Sequence, residues 1–77
     1  MDKTKFEQKA ENLYYFVEDC YERISEGKEL TKKEKRQLSI NYELSFNCEY
    51  QEYFAKEMLS DELYFMFDEI MCSGIDL

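Results

Sequence analysis

The chain has 77 residues, with 18 Asp and Glu against 10 Lys and Arg and no histidine, for a net charge of −8. That length supports one small domain over residues 1–77, and the missing histidine removes Ser-His-Asp and Cys-His pairs together with the commonest metal ligand. The only glycines, Gly27 and Gly74, make no phosphate-cradling loop, and Cys20, Cys48 and Cys72 are too scattered for a CxxC knuckle or a disulfide framework.

No enzymatic activity, cofactor or metal is therefore expected. The thiols read as reduced, with at least one of them plain core. No apolar run reaches the ~18 residues of a membrane span, and the N-terminal stretch lacks the apolar centre of a signal peptide, so a cytoplasmic location is expected. The many aromatic residues, 7 Tyr and 6 Phe, argue against disorder despite the high charge.

With no proline in the chain, few positions can break a helix. The first helix opens at Thr4, with Glu7 three residues later as the partner of a capping box. Phe6, Ala10, Leu13, Val17, Cys20 and Ile24 recur at alternating spacings of 4 and 3, the seam of a packed helix. Tyr14 and Tyr21 widen that stripe on one side, and Gly27 supplies the left-handed stop.

A second helix is predicted from Thr31, again with a capping box, to Glu34. Past its basic start the pattern changes. Leu38, Ile40, Tyr42, Leu44, Phe46, Cys48 and Tyr50 alternate with polar residues, which is a strand signal. A helix is the favoured reading, because a lone strand has no partner in so short a chain, no Gly or Pro lies between Gly27 and Gly74 to turn a hairpin, and the sequence continues into the helix-favouring stretch 49–58. Such a helix carries two apolar stripes. One is Leu38, Tyr42, Phe46, Tyr50 and Tyr53; the other is Ile40, Leu44, Cys48 and Ala55. That is more apolar surface than two neighbouring helices cover, which predicts a homodimer. Asn47 is the expected place for a kink or break.

The last helix is predicted to start with Ser60 as N-cap and with Asp61 and Glu62 in the first turn, where the helix dipole favours them. Leu59 and Tyr64 stand at staple positions. Leu63, Met66, Phe67 and Ile70 form the inward face, and Gly74 ends the helix before a short tail. The predicted fold is all-α: a compact bundle of three helices, the middle one splitting into two if Asn47 breaks it.

Charge is distributed unevenly along this bundle. In residues 1–36 nine bases balance nine acids, whereas residues 37–77 set Lys56 alone against nine acids. Such an asymmetry points to a basic partner. At about 100° per residue, Glu7, Glu11, Glu18, Glu22 and Glu26 share one face of the first helix, and Tyr15 lies in the middle of that polar side. On the last helix Phe65 points away from the core, bracketed by Asp61, Glu62, Asp68 and Glu69. Tyr15 and Phe65 could be single exposed aromatics, or could cover each other or a neighbouring helix. The functional reading is a partner-binding surface built from Tyr15, Glu11, Glu18, Glu22, Asp61, Glu62, Phe65, Asp68 and Glu69, suited to Arg and Lys through cation–π and ion-pair contacts.

The basic run Lys28, Lys32, Lys33, Lys35 and Arg36 is interleaved with Glu26, Glu29 and Glu34 and holds no aromatic residue, which argues against direct binding of nucleic acid. It reads as a solvated helix start, with an intermolecular charge pair to the acidic half as the alternative.

Small, acidic, helical and free of catalytic groups, the chain resembles the inhibitors that bacteriophages and mobile elements make against host nucleic-acid machinery: anti-CRISPR proteins, anti-restriction proteins and DNA-mimic anti-repressors. The resemblance is one of size, charge and aromatic content. It implies a non-enzymatic inhibitor that binds the basic nucleic-acid-binding surface of a host nuclease, CRISPR effector, restriction enzyme, repressor or polymerase and competes with DNA or RNA. A different class remains open: a small homodimeric interaction or regulatory protein, antitoxin-like or an assembly subunit, whose acidity serves only solubility. The discriminator is whether both stripes of the middle segment are covered within one chain.

Overall fold

The structure, a computed structural model, describes residues 4–75 and contains four helices; among those residues there is no strand. The first, α1, is Lys5–Ser25. Thr4 caps it by accepting the backbone N–H of Glu7 at 3.1 Å, while its own hydroxyl donates to the Glu7 carboxylate at 3.3 Å. Only half of the expected capping box forms. Ala10, Leu13, Val17 and Cys20 are buried as the seam spacing predicts, with Tyr14 beside them. Gly27, at φ +82°, lets Lys28 N–H reach the Arg23 carbonyl and Gly27 N–H reach that of Ile24, so two orphan carbonyls are satisfied.

The second helix, α2, is Lys32–Leu44, and here both halves of the Thr31–Glu34 capping box are present. It runs antiparallel to α1. Its start is tied to the end of α1 by Arg23, which pairs with both Asp19 and Glu34, and its far end lies beside Lys9 and Leu13. The Glu34 carboxyl is held below the usual carboxylate range, chiefly by the Thr31 backbone N–H.

The alternation over residues 38–50 makes no strand. The middle segment is instead two helices, and α3 is Cys48–Lys56. The break falls at Asn47, whose side chain accepts the Glu49 N–H at 2.9 Å and caps the new helix. The end of α2 tightens into i→i+3 bonds at Phe46 and Asn47. Ser45 is fully buried; its hydroxyl donates to the Tyr42 carbonyl, and its own carbonyl accepts the Tyr64 hydroxyl at 2.9 Å. Among the described residues no buried side-chain nitrogen or oxygen is left without a partner at the break.

Breaking the helix also dissolves the two stripes. Leu38 is buried, Tyr42, Tyr50 and Tyr53 are half-buried, and Phe46 is exposed. Ile40, Leu44, Cys48 and Ala55 are all exposed, and the buried residue of α3 is Phe54, which neither stripe contained.

The fourth helix, α4, is Ser60–Cys72. Ser60 is its first helical residue rather than its cap. Leu59 occupies the cap position and offers no side-chain bond. Leu63, Met66, Phe67 and Ile70 face the core as expected, and Gly74 ends the helix at φ +98°.

α1 is the central element and touches the other three. Its 21 residues span about 31 Å at 1.5 Å each, which sets the long axis of a body 38 × 20 × 20 Å. α4 lies parallel to α1, as the pairings of Tyr14 with Glu62 and Tyr21 with Phe65 show, and this is the largest helix–helix contact in the fold. α3 crosses the first turns of α1, with Phe6 packed on Tyr50 and Tyr53.

Candidate partner-binding surface

The parallel pairing of α1 and α4 places acidic flanks of both helices along one seam. Tyr14 reaches across it. Its ring is buried, and its hydroxyl donates to Glu62 Oε2 at 2.8 Å. Burial first, then this bond and the charges of Glu62 and Glu18, push the Tyr14 phenol up to about 12. Glu18 and Glu62 therefore face the same hydroxyl from the two helices.

The outward aromatics are placed as the helical phase predicts. Tyr15 is 59% exposed and Phe65 54% exposed. They do not cover each other: Tyr15 leans edge-on against Tyr14 at 5.8 Å, and Phe65 against Tyr21 at 6.1 Å. Phe65 stands where two recesses approach each other. Toward α1, Tyr21, Ile24, Cys72 and Glu69 line a shallow hollow of about 290 Å³. Toward the end of α2, Phe65 joins Tyr42, Phe46, Tyr64, Asp61 and Asp68 around a groove of about 400 Å³.

That groove is the most distinctive part of the surface. Phe46 stacks on Tyr64 at 5.8 Å with the rings 26° apart, and Tyr42 meets Phe46 edge-on at 4.9 Å. The charged side chains lining it are Asp61 and Asp68, both exposed carboxylates. Among the described residues the ion pairs are Arg23 with Asp19 and Glu34, and Lys28 with Glu26. None of these pairs among the described residues involves Glu18, Glu22, Asp61, Glu62, Asp68 or Glu69. Aromatic faces beside unpaired carboxylates can receive a guanidinium or ammonium group through cation–π and ion-pair contacts together.

The structure regroups the residues proposed from sequence. Glu18, Glu62, Phe65 and Glu69 sit along the α1–α4 seam, and Asp61 and Asp68 sit with Phe65 in the groove. Glu22 is exposed on α1 a turn beyond Glu18. Glu11 is drawn to the other end, where Tyr53 Oη lies 3.5 Å from its carboxylate, so it stands apart from the α4 cluster. Three groove residues, Tyr42, Phe46 and Tyr64, escaped the sequence reading. Asn47 was the available signal, since a break there turns Phe46 out of the core stripe and toward α4.

No three His, Cys, Asp or Glu side chains among the described residues come together as a metal site, and no helix there is long and apolar enough to cross a membrane. Cys20 is buried in the core, and burial pushes its thiol up to about 11, whereas Cys48 and Cys72 are exposed. No family model matches the chain, and comparison with curated proteins and with solved structures gives no match either.

Proposed function

We propose that the protein is a non-enzymatic acidic inhibitor that occupies a basic nucleic-acid-binding surface of a host protein and competes there with DNA or RNA. The observation that carries this reading is the groove at Phe65: exposed Phe46 and Phe65 beside half-buried Tyr42 and Tyr64, with Asp61 and Asp68 as its charged groups. A surface that binds phosphates presents Arg and Lys, and these are the side chains such a groove accepts. The rings supply contact area that persists at high salt, and the carboxylates supply steering and register.

The test is capture from bacterial lysate treated with DNase and RNase, with the Phe65→Ala protein as parallel bait. The captured protein is then titrated with labelled DNA and RNA in the presence of the chain. The reading expects a nucleic-acid-binding protein, displacement of the nucleic acid by the chain, and weaker capture by Phe65→Ala. A captured partner that binds nucleic acid equally well with the chain in excess overturns it.

The rival reading, a homodimeric interaction protein, keeps its motive, because Ile40 and Leu44 of the middle segment are not covered within one chain.

A further inference from the structure

The outward side of α2 carries a pattern unlike the rest of the surface. Leu38, Asn41 and Ser45 are buried along its inner side. Opposite them lie Lys33, Arg36, Ile40, Glu43 and Leu44, all exposed, with Ile40 at 45% and Leu44 at 38%. At about 100° per residue, Arg36 and Glu43 stand about 40° and 60° to the same side of Ile40. They are about 10 Å apart along the helix axis, too far to pair within the helix. Neither takes part in an ion pair among the described residues.

A base one turn before an exposed isoleucine and an acid one turn after it form a stripe that is complementary to itself in one orientation only. If a second copy lies parallel, Arg36 meets Arg36 and Glu43 meets Glu43. If it lies antiparallel, with a two-fold axis at Ile40, position along the helix reverses while the flank is kept. Arg36 of each copy then comes beside Glu43 of the other. Ile40 packs on Ile40, and Leu44 lies on the flank opposite the two charge pairs. We propose that α2 is the interface of an antiparallel homodimer, with Arg36 of each copy paired to Glu43 of the other across Ile40.

The rest of the molecule is consistent with a second copy as the occupant. Two chains that each carry −8 repel, and α2 is the helix on which bases outnumber acids, with Lys32, Lys33, Lys35 and Arg36 against Glu34 and Glu43. Contact there brings the least acidic faces together and keeps the acidic flank of α4 outside. Tyr42 lies on the side of α2 away from Ile40, so the dimer leaves the aromatic groove open and stands or falls separately from the inhibitor reading. A contact between two short helices is small, so the dimer is weak and concentration-dependent.

Sedimentation equilibrium of the full chain, from micromolar to high micromolar concentration, tests this. The wild-type mass should rise from monomer toward dimer. Arg36→Glu alone and Glu43→Arg alone should each weaken association by about tenfold or more, since each puts like charges opposite one another. Two restorations are expected: the double variant Arg36→Glu/Glu43→Arg should dimerise like wild type, and the two single variants mixed together should form a mixed dimer, in which both pairs are opposite in sign. Circular dichroism should show all of them folded, because every changed side chain is exposed. A wild-type monomer at all concentrations, a dimer indifferent to the single changes, or a double variant no better than the singles would overturn the proposal.

Discussion

Tyr14 joins the core to the acidic seam through one hydroxyl, and its chemistry is open to titration. The phenol moves from its ordinary 10.0 up to about 12, so the fold favours the neutral form. The stability it contributes is fully present below pH 10 and is lost as pH rises from there toward 12. Cys20 acts in the same sense, moving from 9.0 to about 11, with its loss beginning near pH 9. Denaturant midpoints measured across alkaline pH should fall in that window, and Tyr14→Phe should remove the upper part of the fall. At neutral pH Tyr14→Phe should cost about 1.5 kcal/mol, the low end for a bond to a charged group, because Glu62 is exposed and regains water. Phe65 and Phe67 offer a second comparison on one helix. Phe67 is buried and Phe65 is half-exposed, its ring leaning on Tyr21. Phe67→Ala should cost about 3 kcal/mol or more, and Phe65→Ala about 1 kcal/mol or less, while the latter carries the loss of partner binding. Equal costs in urea unfolding would place Phe65 in the core and remove the surface built around it.

The end of α3 is the element at which local chemistry and fold disagree. The helix closes with the Leu59 N–H on the Phe54 carbonyl and the Met58 N–H on that of Ala55, the same pair of bonds that Gly27 completes after α1. Here the left-handed position is held by Met58, at φ +59° and 87% exposed. A non-glycine residue there costs about 1–2 kcal/mol, and the exposed side chain offers little packing in return. Met58→Gly should stabilise the protein by about 0.5–1 kcal/mol after the added freedom of the unfolded chain is counted, seen as a rise of several degrees in the thermal midpoint. The same position explains where sequence reading succeeded and failed. α1 was legible because its seam spacing, its Thr4 cap and its Gly27 stop agree with one another. The end of α3 carries no glycine, so nothing local announced it, and Ser60 looked like a cap although the turn at Met58 puts Leu59 there. Asn47 announced the break because an Asn side chain caps well. What the break does is a tertiary matter: it sets Phe46 on Tyr64 and so builds the groove. Helical phase alone located Asp61, Phe65 and Asp68, but could not bring Tyr42 and Phe46 to them, and it could not show Glu11 turning to Tyr53.

At the scale of the whole molecule, charge acts on folding and on binding with opposite signs. Nine of the acids lie beyond residue 36 against Lys56 alone, and among the described residues the ion pairs are confined to Asp19, Arg23, Glu26, Lys28 and Glu34. The acidic flanks of α1 and α4 therefore repel within one small body, and folding brings them closer than the extended chain does. Added salt shortens the screening length from about 10 Å at 0.1 M to about 3 Å at 1 M. That relieves the repulsion along the Tyr14–Glu62 seam, so the thermal midpoint should rise with sodium chloride. The same screening weakens attraction to a basic partner, so affinity should fall over the same range. Asp61→Lys with Asp68→Lys should flatten both responses, because it replaces the carboxylates of the groove with cations. Glu49→Lys with Glu52→Lys makes an equal change of net charge on α3, away from that groove, and should flatten the stability response while leaving the affinity response largely in place. If the two double variants behave alike in binding, net charge alone attracts the partner and the Phe65 groove has no part in selecting it.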